Sequence, residues 1–85
     1  MGETYFLHQI KRTNGAYDKG IVVKTGGTAE ENFAAAKQGY HAYLGAYGYG
    51  HDANTDYVAC YITNMDGAVV LSEIDNRMQI VQEQG

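Results

Sequence analysis

The chain has 85 residues, of which 45% are hydrophobic and 19% charged, and this composition is typical of a folded protein rather than a disordered one. A chain of this length is expected to form one domain, residues 1–85, with a thin core. The net charge is −4 with only six Lys and Arg residues, which disfavours duplex nucleic acid as a ligand, because phosphate backbones are bound by clustered basic residues.

The same composition constrains the compartment. The single cysteine, Cys60, cannot form an internal disulfide, which favours a reducing environment. No stretch approaches the ~20 apolar residues of a membrane span, and residues 1–4 do not open a signal peptide. We therefore expect a cytoplasmic protein that does not bind membranes.

A β-hairpin is predicted first. The strand over residues 4–13 is followed by Asn14-Gly15, which is typical of a two-residue type I′ turn and pairs Lys11 with Asp18. Alternation then separates two faces of the hairpin. The face expected to form the core carries Phe6, His8, Ile10, Ile21 and Val23. The opposite face carries Tyr5, Leu7, Val22 and the Lys11–Asp18 ion pair.

A helix is predicted next. Thr28-Ala29-Glu30-Glu31 has the form of a capping box, with Thr28 as the N-cap and Glu31 at the third helical position. Gly39 indicates a close approach to a neighbouring backbone, or is simply tolerated. Gly45 and Gly48 are candidate ends. An apolar stripe at helical spacing should pack on the sheet; it comprises Phe33, Ala36, Tyr40, Tyr43 or Leu44, and Tyr47.

The second hairpin runs from Tyr57 to Asp75 around Met65-Asp66-Gly67. A two-residue turn would pair Val58 with Asp75 and Cys60 with Glu73. We favour a three-residue turn with Gly67 in the left-handed conformation, because it groups apolar side chains on one face. That face would carry Val58, Cys60, Ile62, Val70, Ser72 and Ile74. Residues 76–85 suit either a short extra strand or one helical turn.

These elements predict an α+β fold of order ββαββ, with a four-stranded antiparallel sheet and one helix packed on one face. The other face should then expose more apolar and aromatic surface than a monomer leaves in water, and self-association is the commonest way to cover it. We therefore expect a homodimer. The predicted dimer face comprises Tyr5, Leu7, Val22, Tyr57, Tyr61, Val69 and Leu71.

Catalytic residues are not predicted. Cys60 would need a nearby histidine, His8, His41 or His51, to act as a nucleophile. Its place in the middle of a strand, on the expected core face, is instead typical of a cysteine that packs as a small hydrophobe. His8 on the same face is expected to be structural, and His41 is expected to be a solvated helix residue.

Metal and phosphate sites are also not predicted. Residues 52–56 have the D-x-N-x-D spacing that opens a calcium loop. The candidate residues for metal binding in this region are His51, Asp52 and Asp56. The rest of the motif is missing, so these side chains are expected to shape turns. Gly26-Gly27-Thr28 at the helix start does not match a phosphate-binding motif. No cofactor is expected.

The loop over residues 45–55 is rich in glycine and tyrosine, a combination typical of recognition surfaces. Its predicted partner-binding residues are Tyr47, Tyr49, His51 and Asp52. The alternative is structural, with Tyr47 completing the helix stripe and Tyr49 covering a sheet edge.

Three runs, residues 18–24, 40–50 and 54–58, resemble small uncharacterised proteins carried by bacterial phages and mobile elements. The resemblance covers about half of the chain and brings no catalytic residues. It implies a non-enzymatic binding protein, including the class of small inhibitors of host defence systems.

We therefore expect a protein-interaction module that binds an unidentified protein partner through the loop or an exposed edge strand. The alternative is a small-ligand protein that stacks a nucleotide or metabolite on the loop tyrosines. A third reading is a minor enzyme that uses His51 and Asp52.

Overall fold

The structure is a computed structural model that describes residues 2–78. Its elements are β1 (Tyr5–Thr13), β2 (Ala16–Lys24), α1 (Ala29–Tyr47), β3 (Thr55–Thr63) and β4 (Val69–Asn76). Neighbouring strands pair antiparallel in one open sheet of order β2-β1-β3-β4. The predicted α+β fold of order ββαββ is confirmed. Of residues 76–85, predicted as an extra strand or a helical turn, Asn76 ends β4, and residues 79–85 lie outside the described residues.

The first hairpin has the predicted register. Asn14 and Gly15 both have positive φ, 53° and 83°, as a type I′ turn requires. Lys11 therefore lies opposite Asp18, and their side chains form an ion pair at 2.7 Å.

The capping box of α1 is also confirmed. The Glu31 amide donates to Thr28 Oγ1 at 3.1 Å, and the Thr28 amide donates to Glu31 Oε1 at 2.9 Å. The helix ends at Gly48, whose amide donates to the Leu44 carbonyl at 2.7 Å. The predicted stripe faces the sheet; its buried members are Ala36, Tyr40 and Leu44, and its half-buried members are Phe33, Tyr43 and Tyr47.

The two hairpins meet through their inner strands. β1 pairs with β3, so that Leu7 lies opposite Ile62, while β2 and β4 form the edges of the sheet. α1 carries the chain from β2 across to β3. The helix and one sheet face together enclose the core, which comprises Leu7, Ala36, Tyr40, Leu44, Val58, Cys60 and Ile62.

The predicted face assignment of the first hairpin is wrong. The pairing of Leu7 with Ile62 extends the apolar surface of β3 into the Leu7 side of the first hairpin, and α1 packs there. Gly39 allows this approach, because a Cβ at that position would lie 2.8 Å from Leu7 Cδ2. Gly39 therefore meets a neighbouring side chain rather than a backbone. Four residues predicted for the dimer face contribute to this covered side instead: Tyr5, Leu7, Val22 and Leu71.

The predicted register of the second hairpin is wrong as well, although its turn is right. The Asn64 amide donates to the Ala68 carbonyl at 3.0 Å across a three-residue loop, and Gly67 has φ 84°. A bulge follows, because the pairing shifts by one residue between Ile62 and Thr63. Because of this shift, Val58 pairs with Asp75 and Cys60 pairs with Glu73. These are the pairs that a two-residue turn would have given.

Candidate functional site

The sheet face opposite α1 carries no element of residues 2–78 that packs across it; we call it the open face. Because side chains alternate along a strand, its members lie between those of the core face. From the observed registers they are Phe6, His8, Ile10, Arg12, Tyr17, Lys19, Ile21, Val23, Tyr57, Ala59, Tyr61, Thr63, Val69, Ser72, Ile74 and Asn76.

Both edges of the open face carry strongly exposed apolar side chains, alongside the exposed polar residues Lys19, Ser72 and Asn76. Tyr17, Ile21 and Val23 on β2 are 54%, 60% and 52% exposed, and Ile74 on β4 is 64% exposed. The inner strands bury their open-face side chains more, and Ala59 is only 4% exposed. Both edges of the sheet therefore present apolar surface to solvent on the same side.

His8 and Tyr61 occupy the middle of the open face. Their rings stack with centroids 4.3 Å apart and an interplanar angle of 9°, and His8 Nε2 lies 3.0 Å from Thr63 Oγ1. Burial lowers the pKa of His8 below its ordinary value of 6.5. Beside the stacked pair lies an open depression of about 430 Å³, bordered also by Lys19 and Ile21.

Charge is sparse on the open face. Arg12 Nη1 lies 3.4 Å from Asp56 Oδ2 at the end of the sheet, and Lys19 lies on edge strand β2. At the same end, Tyr17 packs edge-on to Tyr57, with centroids 6.2 Å apart. Here the Tyr17 hydroxyl approaches Met78 Sδ at 3.7 Å.

The glycine- and tyrosine-rich loop is shorter than predicted, because α1 continues to Tyr47. The Tyr47 ring packs 5.1 Å from that of Tyr43 and receives the Lys11 ammonium at 4.7 Å. Asp52 accepts the Asn54 amide at 3.1 Å and the Thr55 hydroxyl at 2.9 Å. These contacts support a structural role for Tyr47 and Asp52.

Tyr49 and His51 are the exposed ring-bearing residues of this loop. Tyr49 is 57% exposed, its φ is 56°, and its ring lies 6.4 Å from that of His51. Its amide donates to Asp75 Oδ2 at 2.6 Å, and the same carboxylate accepts from Arg77 Nε at 3.0 Å. Asp75 on β4 therefore holds the loop in place.

No protein-family model, curated protein or solved structure matches this chain.

The geometry does not assemble catalytic machinery around Cys60. Its thiol is fully buried, burial raises its pKa to about 12, and its nearest polar contact is the Tyr40 carbonyl at 4.0 Å. His8 lies on the opposite face of the sheet and His41 is exposed on α1. A neutral thiol without a base is a poor nucleophile.

The candidate anion site at the start of α1 is occupied by the chain itself. The Gly27 amide at the start of α1 donates to Asn32 Oδ1 at 3.1 Å, and the capping box uses the next free groups. The structure also does not assemble the candidate metal site. Within residues 2–78, no group of three or more His, Cys, Asp or Glu side chains is placed to hold a metal ion. Over the same residues, no helix is long and apolar enough to cross a membrane.

Sequence reasoning missed most of the open face. The alternation of side chains along the strands grouped the first-hairpin residues of this face correctly, but the group was assigned to the core. Tyr17 was not identified as a member. The deciding contact, Leu7 against Ile62, joins distant parts of the chain and has no local signal. Sequence reasoning also missed Asn32, whose buried amide donates to the Glu3 carbonyl at 2.8 Å and ties the start of α1 to the N-terminal segment.

Proposed function

We propose that this chain is a non-catalytic protein-interaction module whose main contact surface is the open face. The observation that carries the proposal is the exposure of Tyr17, Ile21, Val23 and Ile74, each more than half accessible on one side of a single sheet. Exposed apolar side chains grouped on one face of a molecule mark interaction sites. The aromatic residues at its centre are of the type enriched in protein interfaces.

Tyr49 and His51 form a second, smaller contact candidate. Their side chains are exposed, and the hydrogen bond to Asp75 fixes the backbone that presents them. A preordered aromatic side chain contributes contact area at a low entropic cost.

The resemblance to phage-borne proteins extends the proposal to a host defence component as the partner of the module.

A small-ligand function is the second candidate. The observation that favours it is the depression beside His8 and Tyr61, whose lining includes the apolar side chains of Ile10 and Ile21 together with Lys19. A nucleotide or another anionic aromatic metabolite has the matching chemistry. A thermal-shift panel of such compounds tests this candidate; a shift that Lys19→Ala abolishes supports it, and a panel without shifts contradicts it.

Two matched variants test the interaction module by affinity capture. Ile21 and Met65 are 60% and 62% exposed, but only Ile21 lies on the open face, since Met65 lies in the turn between β3 and β4. A stoichiometric partner should be captured by the wild-type chain and by Met65→Lys, and lost by Ile21→Lys. Capture by Ile21→Lys at the wild-type level would contradict the proposal.

A further inference from the structure

We infer that the open face binds a second copy of this chain, so that two sheets pack face to face in a symmetric dimer. The inference rests on the proposed function, and for the open face it names a second copy of this chain, rather than a different protein, as the partner. Each sheet already has α1 on its other side. The dimer would therefore have four layers, helix, sheet, sheet and helix, with both faces of each sheet covered.

The area of the open face reaches the lower bound for a specific interface. Strands spaced about 4.8 Å apart make a four-stranded sheet about 19 Å wide, and nine-residue strands are about 30 Å long. Each copy thus offers roughly 570 Å², and two copies bury about 1,100 Å², which reaches the ~1,000 Å² expected of a specific interface.

The distribution of charge permits contact with a second copy. Among residues 2–78, the open face contains no acidic side chain apart from Asp56 at its end, and Asp56 lies 3.4 Å from Arg12. The other carboxylates of these residues lie in the N-terminal segment, on α1, in turns or on the covered side of the sheet, where Glu73 and Asp75 pair with core residues of β3. Two chains of net charge −4 can therefore meet without opposing their negative groups.

Sheet geometry permits the same contact. Twisted antiparallel sheets pack face to face about 10 Å apart with their strands nearly aligned. A two-fold axis uses one patch twice, so a single apolar face supplies both sides of the interface. The exposed side chains of the two edge strands, such as Ile21 and Ile74, would lie over the partner sheet rather than in solvent.

Sedimentation equilibrium of the purified full chain from micromolar to millimolar concentration tests the inference. We expect a mass near twice the 9.3 kDa of the chain at the upper concentrations, with dissociation on dilution. Ile21→Lys places a charge at the interface twice, so it should weaken the dimer at least about tenfold. Met65→Lys, which adds the same charge away from the face, should dimerise like wild type.

Other outcomes are distinguishable. A wild-type mass of 9.3 kDa throughout overturns the dimer, and the proposed function survives that result if Ile21→Lys still loses a captured partner. A dimer that Ile21→Lys leaves at wild-type affinity overturns the inference by placing the interface elsewhere. A monomer that dimerises only after removal of residues 79–85 would also overturn it, by assigning the face to the chain's own C-terminal segment.

Discussion

At the scale of single residues, His8 links the open face to pH. The ring stacks on Tyr61, and its ionisable neighbours on the open face are Tyr61 on β3 and Lys19 on β2. Burial lowers the pKa of His8 below 6.5, so the folded chain binds a proton at this ring less readily than the unfolded chain does. Its contribution to stability is therefore complete above pH 6.5 and is lost as the pH falls below that value.

This difference in the pKa of His8 between the folded and unfolded chains predicts that His8 makes the stability of the protein depend on pH. Between pH 7 and pH 5, the free energy of unfolding of the wild-type chain should fall more than that of His8→Gln, because the variant has no ring to protonate. Urea denaturation at several pH values measures it, and His41→Gln on the exposed side of α1 is the control that should keep the wild-type dependence. Identical pH profiles for wild type and His8→Gln would contradict the prediction.

At the scale of elements, the central question is which sheet face α1 covers. Val22 and Val23 are neighbours of the same type on β2 with opposite orientations. Val22 packs against the core, whereas Val23 is 52% exposed on the open face. This pair provides a matched test, because the two truncations remove the same atoms from the same strand.

Val22→Ala should destabilise the monomer by about 1–2 kcal/mol, since it removes packing against the core, and Val23→Ala should change stability by less than about 0.5 kcal/mol. Denaturant titration at a concentration where the chain is monomeric measures both. A larger loss for Val23→Ala than for Val22→Ala would mean that the helix lies on the other face.

Local signals predicted the elements of this fold well. Asn14-Gly15 determined the turn and register of the first hairpin, and the Thr28–Glu31 capping box determined where α1 begins. Both depend on residues that are adjacent in the sequence, where turn and cap preferences are strong.

Long-range contacts could not be predicted in the same way. The covered face depends on the β1–β3 pairing and on the contact of Gly39 with Leu7. The register of β4 depends on a bulge next to Ile62. For the candidate site, the exposure of Tyr49 and His51 could be predicted, because both lie in a loop. The identity of the open face could not, because it depends on which side of the sheet α1 packs against.

At the scale of the whole molecule, one helix and one sheet leave half of the sheet surface without a covering layer among residues 2–78. A domain of this size has little surplus stability, so covering that face by association would also stabilise the fold through mass action. Interaction and stability are therefore expected to be coupled in this protein.

The most direct test is thiol labelling at a defined position on each side of the molecule. Cys60 is buried, with its pKa raised to about 12, so it should be silent and an introduced cysteine should report alone. For Ile21→Cys on the open face, the labelling rate should fall as protein concentration rises. For Ala34→Cys on the exposed side of α1, it should stay constant. A rate for Ile21→Cys that does not depend on concentration would contradict the account.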